Sequence, residues 1–247
     1  MTAGPSFDIP RGRVVPVERV EVRLDPAPHP FELGHAREIE ANWQREVAAN
    51  PALFDGRMVL LSALCYEGGR LRGRCHEVRF ATMLYWRRNK AAADVEHCFA
   101  HAALVSGDNA LVAIRMGRHT ANPGRVYFAA GSFERQDFIG GLVDVYGNMR
   151  REVAEETGLD LADFQAEPRY YFYSGDHSTV LIQRYLTREP ADAVARRIES
   201  HVAVDAEPEI QGPVVIREAD DLPDGVLPHM AAIIRWHFSE ATPQPGK

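Results

Sequence analysis

Apolar and polar positions along this chain switch repeatedly between a period of two and a period near four. Residues 13–24, RVVPVERVEVRL, alternate as a half-buried strand does. Over 30–51 the period lengthens: Ile39, Trp43 and Val47 recur every four positions, which predicts a helix ending at Asn50-Pro51. Residues 58–86 then predict two strands joined by a turn at Gly68-Gly69. A hairpin about Gly107-Asp108-Asn109 is expected over 99–116, and RVYFAAGSF (125–133) reads as a further strand. A helix over about 145–158 follows, then a hairpin at 170–187, a helix near 190–202, a strand at 213–218 and a last helix near 227–239. Strands and helices in this order, without regular βαβ alternation, predict an α+β fold.

The helix near 145–158 carries the candidate chemistry. On a helix, positions i, i+3 and i+4 share one face, so Glu152, Glu155 and Glu156 are expected to stack together beside Arg151. Like charges at that spacing repel by a few tenths of a kcal/mol per pair. A divalent hard cation reverses the sign, because Mg²⁺ binds through carboxylates together with substrate phosphates. The alternative is a solvated acidic face neutralised by Arg150 and Arg151. Gly158 closes the helix as a C-terminal glycine does.

Residues 151–159, REVAEETGL, resemble the second half of the Nudix box, G-x5-E-x7-R-E-U-x-E-E-x-G-U with U aliphatic. Arg151, Glu152, Val153, Glu155, Glu156, Gly158 and Leu159 fill its fixed positions. The first half is altered. Gly131 followed five residues later by Asp137 mimics G-x5-E with a shorter acid, and Ala130 stands where many members have a glycine. Thirteen residues, 138–150, separate Asp137 from Arg151 where the family has seven, so this loop reads as an insertion.

The resemblance implies a Nudix α/β/α sandwich with a mixed sheet over 95–240, an N-terminal α/β extension over 1–94 packed against it, and a tail at 241–247. It implies hydrolysis of a nucleoside diphosphate linked to another moiety, with Mg²⁺ or Mn²⁺ as cofactor. Glu155, Glu156 and the Gly131 carbonyl are implied as metal ligands, and Glu152 as the base or a ligand to a second ion. Arg151 would orient Glu152, and Asp137 would be an outer-sphere ligand. The family often adds an acid from a loop ahead of a later strand; Glu207 and Glu209 precede the strand at 213, and Glu209 is the favoured one.

Substrate choice is carried by weaker signals. NPALFDG (50–56), with Trp43 before it and RFATMLYW (79–86) after, resembles the extension of Nudix proteins that hydrolyse UDP-sugars to UMP and a sugar 1-phosphate. Nucleotide sugars are therefore the favoured class, with ADP-ribose, NADH and coenzyme A as alternatives. A non-catalytic nucleotide sensor is the alternative of another kind, suggested by Ala130, Asp137 and the inserted loop. Arg87 beside Tyr85 and Trp86 is a candidate substrate contact, as are Arg118 and Asn122 on the loop before Gly131.

Composition narrows the partners. A formal net charge of −7 over 247 residues argues against a nucleic-acid or anionic-membrane surface. No run approaches the roughly 18 apolar residues that span a bilayer. Cys65, Cys75 and Cys98 show no C-x-x-C spacing, and MTAGPSFDIPRGR lacks a signal-peptide core, so a reducing cytoplasm is expected. Cys75-His76 and His97-Cys98 are poor zinc spacing. The resemblance also admits a strand-paired homodimer.

Overall fold

The computed structural model describes residues 7–51, 53–89 and 94–240. The expected tail at 241–247 and Ala52 of the NPALFDG segment lie outside them. In chain order the elements are β1 (Phe7–Asp8), β2 (Val14–Val17), β3 (Arg19–Asp25), α1 (Pro30–Gly34), α2 (Ala36–Ala49), β4 (Arg57–Glu67), β5 (Arg70–Arg79) and α3 (Phe80–Arg88). Next come β6 (His97–Val105), β7 (Leu111–Met116), β8 (Val126–Tyr127), β9 (Phe138–Ile139), β10 (Leu142–Val143) and α4 (Val145–Thr157). The chain then runs through β11 (Gln165–Ala166), β12 (Tyr170–Gly175), β13 (Ser178–Leu186), α5 (Ala191–Val204), β14 (Ile210–Ile216) and α6 (Pro228–Ser239).

Two mixed sheets form, and the fold is α+β as the element pattern predicts. One sheet has the order β1-β4-β5-β3-β10-β9, the other β14-β7-β6-β13-β12-β2, with β8 on β7 and β11 on β13. Strands cross residue 94 in both directions: β2 joins the second sheet through β12, and the β9–β10 hairpin joins the first through β3. Met58-Val59-Leu60-Leu61 on β4 is a continuous apolar run because both of its faces are covered. Val59 and Leu61 enter the main core with β6, β7 and β13, whereas Met58 and Leu60 enter a smaller cluster with Met83 and Trp86 of α3. Helix α4 packs on β6, α5 on β7 and β14, and α6 on β2 and β12.

Four local expectations are corrected. The strand expected over 13–24 is two strands in different sheets. Glu18 and Arg19 both donate their amides to the Gly69 carbonyl, at 2.8 and 3.3 Å, and this turns the chain from one sheet to the other. The helix expected over 30–51 breaks at His35, whose amide returns to the Phe31 carbonyl after Gly34. Residues 80–88 are helical, not the end of a strand. Asp55 accepts from the Ala81 amide at 2.9 Å and fixes the helix start, while Ala81, Met83 and Trp86 turn inward. Within 125–133 only Val126–Tyr127 pairs as a strand, and the chain runs irregularly from there to Gly131.

Candidate active site

Helix α4 starts where Asp144 accepts from the Gly147 amide at 3.0 Å and stops at Gly158, whose φ of 68° favours a residue without a Cβ. Its inward face is Val145, Asn148, Met149, Glu152, Val153, Glu156 and Thr157, the i, i+3, i+4, i+7 pattern of an amphipathic helix. Met149 and Val153 anchor that face in the core. Two acids therefore point inward, and Glu155 does not: its side chain is 59% exposed.

The loop before the helix closes over this face. Glu152 lies against Gly131 so tightly that a Cβ there would overlap its carboxylate, which explains why this position carries glycine. Glu156 accepts from the Ala130 amide at 2.9 Å. Burial pushes the Glu152 carboxyl up to about 7 against the pull of Arg151. Burial pushes Glu156 up to about 9, with Glu152 and Glu209 adding repulsion.

The inserted segment 138–150 resolves into a tight hairpin and the first turns of α4. Gly140 and Gly141, at φ of 59° and 78°, make the two-residue turn between β9 and β10. The hairpin leaves and returns, so that the Asp144 amide bonds the Asp137 carbonyl at 2.7 Å. Asp137 is thus held beside the helix. Its buried carboxylate accepts from the Glu134 amide at 2.9 Å, from Asn148 Nδ2 at 3.0 Å and from Arg151 at 3.3 Å. Arg151 also meets Glu152 at 2.7 Å and Glu155 at 3.2 Å. One guanidinium is shared among three carboxylates.

Among the described residues no three His, Cys, Asp or Glu side chains are grouped so as to hold a metal ion. The expected three-glutamate set is split into an inward pair and an outward Glu155 held by Arg151. The donor chemistry of the inward pair nonetheless fits a hard divalent cation: its oxygens are buried and anionic when deprotonated, and Glu156 has no cation beside it, Arg151 being bound to Glu152. The Cys75-His76 and His97-Cys98 pairs form no such group either, and burial pushes the Cys75 thiol up to about 12.

A cleft of about 400 Å³ opens beside Ala130 and Gly131. Arg87 and Asn122 line it; Arg118 is exposed and does not. Glu209 is also exposed, with its charge near enough to act on both Glu156 and Tyr127. Three cleft residues were not expected as a set from sequence: His97, His101 and His229. The alternation His97-Cys98-Phe99-Ala100-His101 on β6 was the available signal, since a period of two puts both histidines on one face. His229 arrives from α6 and had no local signal.

No protein-family model matches the chain, and no curated protein matches it. Among solved structures it is similar to DR0079 from Deinococcus radiodurans, with 12% identity over 57% of this chain and 83% of that one, at a TM-score of 0.40. It is also similar to the MutT protein from Methanosarcina mazei Go1, with 14% identity over 58% of this chain and 93% of that one, at a TM-score of 0.38.

Proposed function

We propose that this chain is a Nudix-type pyrophosphohydrolase that cleaves the diphosphate of a nucleoside diphosphate compound with Mg²⁺ or Mn²⁺. The observation that carries this reading is the pair of buried carboxylates, Glu152 held by Arg151 and Glu156 without a cation of its own, packed against Ala130 and Gly131, which line the 400 Å³ cleft. Glu156 and the Gly131 carbonyl would hold the ion, with Glu152 a further ligand or the base; Glu155, which faces outward on Arg151, would join them only by turning inward. When bound, the ion would neutralise diphosphate charge and acidify a water.

The chain's own groups supply the rest. Where Glu152 is the base and not a ligand, its carboxyl, near 7 before any ion binds, is matched to accepting a proton at neutral pH, the condition under which a general base works best. Arg151, bonded to Glu152 at 2.7 Å, fixes that carboxylate, and Asp137 fixes Arg151. Glu209, whose charge acts on Glu156, would be the additional acid. Arg87 and Asn122 are positioned to meet substrate.

Nucleotide sugars are the substrate class we favour. The support is that Phe80, Met83 and Trp86, from the segment resembling the extension of UDP-sugar hydrolases, line the cleft with Arg87 next to them in sequence. A cytoplasmic setting suits the three free thiols, and no described helix is long and apolar enough to cross a membrane.

The test is phosphate release with added alkaline phosphatase across UDP-glucose, ADP-ribose, NADH and coenzyme A, in Mg²⁺ and in Mn²⁺. Turnover that disappears in Glu156→Gln is expected. Turnover of a compound other than UDP-glucose would discard the favoured class and keep the enzyme. Silence across the panel from a folded, metal-supplied protein would overturn the reading.

A further inference from the structure

The cleft beside Gly131 is lined mostly by rings and by neutral polar groups. On β6, His97 stacks on Phe99 with centroids 5.0 Å apart and planes at 24°. His101 stacks on His229 at 5.6 Å and 18°, and the Phe99 ring meets both edge-on. Met58, Met83 and Trp86 add apolar surface from β4 and α3. Flat walls of this kind suit a planar ligand, because ring faces pack best on ring faces in offset or edge-on contact.

The polar groups favour an uncharged one. His97 Nε2 bonds Ser132 Oγ at 2.9 Å, beside Gly131, and the Nε2 atoms of His101 and His229 lie 3.4 Å apart. Burial depresses all three imidazoles, His97 to about 3 and His229 to about 4, so each is uncharged at neutral pH and carries one donor and one acceptor, the Nε2 atoms engaged with Ser132 or with each other until a ligand competes for them. Among the lining side chains only Arg87 and Asp176 are charged. An anion placed between the imidazoles would lose its hydration with Arg87 alone in return. A neutral ring with donor and acceptor edges would lose little, because the imidazoles can adopt the matching tautomers.

We infer that His97, His101 and His229 form a specificity pocket for an uncharged heteroaromatic ring with hydrogen-bonding edges, the chemical class of a nucleobase. This rests on the proposed hydrolysis of a nucleoside diphosphate compound, in which the diphosphate lies at Gly131 and the base lies among the imidazoles. The sugar or other leaving moiety then takes no part of this pocket.

The experiment is calorimetric titration of the metal-free full chain with uridine, cytidine, adenosine and guanosine, and separately with glucose 1-phosphate. His97→Phe and His229→Phe keep a ring and remove the hydrogen bonds, and a thermal melt checks that each is folded. At least one nucleoside is expected to bind at one site, at least tenfold more weakly in a folded Phe variant, while glucose 1-phosphate does not bind. Absence of binding by all four nucleosides would overturn the inference. So would nucleoside binding indifferent to both substitutions, or glucose 1-phosphate binding that either one removes. Because no metal or turnover is involved, nucleoside binding without hydrolysis in the panel above would sink the enzymatic reading alone. Hydrolysis without nucleoside binding would sink the pocket alone.

Discussion

Glu167 and Glu156 are buried to nearly the same degree, at 6% and 7% exposure, yet their surroundings are opposite. Glu167 is matched on both oxygens: Arg184 donates to it at 2.7 and 2.9 Å and the Tyr171 hydroxyl at 2.7 Å. The Arg184 guanidinium lies 4.7 Å from the Trp236 ring centroid and 5.7 Å from that of Tyr171. Glu156 has the single Ala130 amide, and its charged neighbours Glu152, Glu209 and Glu155 are all acids. The first cluster is matched charge for charge, with Arg184 Nη1 alone lacking a hydrogen-bond partner, and belongs to the scaffold joining β12, β13 and α6. The second is short of positive charge, an arrangement expected where a cation or a charge-bearing reaction is to be accommodated.

The largest expected effect breaks the matched cluster. Glu167→Ala leaves Arg184 buried without its counter-charge, which should cost about 3–5 kcal/mol. Thermal melts should show a correspondingly large fall in Tm. A paired Glu167→Leu, Arg184→Met protein should recover much of it, since removing both charges removes the desolvation penalty. If the single variant melts like the wild type, the cluster is not the scaffold element described.

Next in size, Glu156→Gln should lower kcat/KM by about 10²-fold or more if the carboxylate serves the reaction, with no loss of stability. Gln keeps an oxygen for the Ala130 amide. The pH dependence gives the sign. A carboxyl raised from 4.5 to about 9 keeps its proton in the folded state while the unfolded chain has released its own. The Glu156 contribution to metal-free stability is therefore fully present below about 4.5 and is lost as pH climbs toward 9. Melts in EDTA at pH 5, 7 and 9 should show the variant gaining on the wild type at each step. A difference between the two proteins that does not change with pH would mean that Glu156 is not held in the desolvated state its burial implies.

Much of this second cluster was legible in the chain. The helix and its glycine stop followed from spacing, the nearness of Gly131 to the acids followed from the resemblance, and Gly140-Gly141 carried a hairpin signal inside the apparent insertion. The outward turn of Glu155 was not, because i, i+3 and i+4 span about 100° of helix surface and only part of that arc faces the core. Helix α3 was misread as strand since FATMLYW is apolar enough for either, and Asp55, far back in the chain, fixes its start. The Glu167–Arg184 pair and His229 were illegible for one reason. Their partners are brought together by sheet register and by α6, across separations that local patterns do not encode.

Gly131→Ala sharpens the comparison from the loop side. The added methyl meets the Glu152 carboxylate, so either the loop or the side chain must move, at about 1–3 kcal/mol. Activity should fall with stability. In a Glu152→Ala background the same substitution should cost much less, because the group it strikes is gone. Equal costs in the two backgrounds would show that Gly131 is required for some other contact.

The smallest effect tests how one guanidinium is divided. Arg151 serves Asp137, Glu152 and Glu155, and the Asp137 charge also helps to raise Glu152. Asp137→Asn keeps an acceptor for the Glu134 amide but removes that charge, so stability should fall by only about 1 kcal/mol. Arg151 is then freer to favour ionised Glu152, whose pKa drops below its present value near 7. If Glu152 acts as an anion, the rate falls as pH drops through that pKa. The acidic limb of the kcat/KM profile should therefore move to lower pH at fixed metal concentration. A purely structural Asp137 would lower the whole profile and leave the limb where it stands. That outcome would leave Arg151 coupled to Glu152 alone and Asp137 to the architecture of the hairpin.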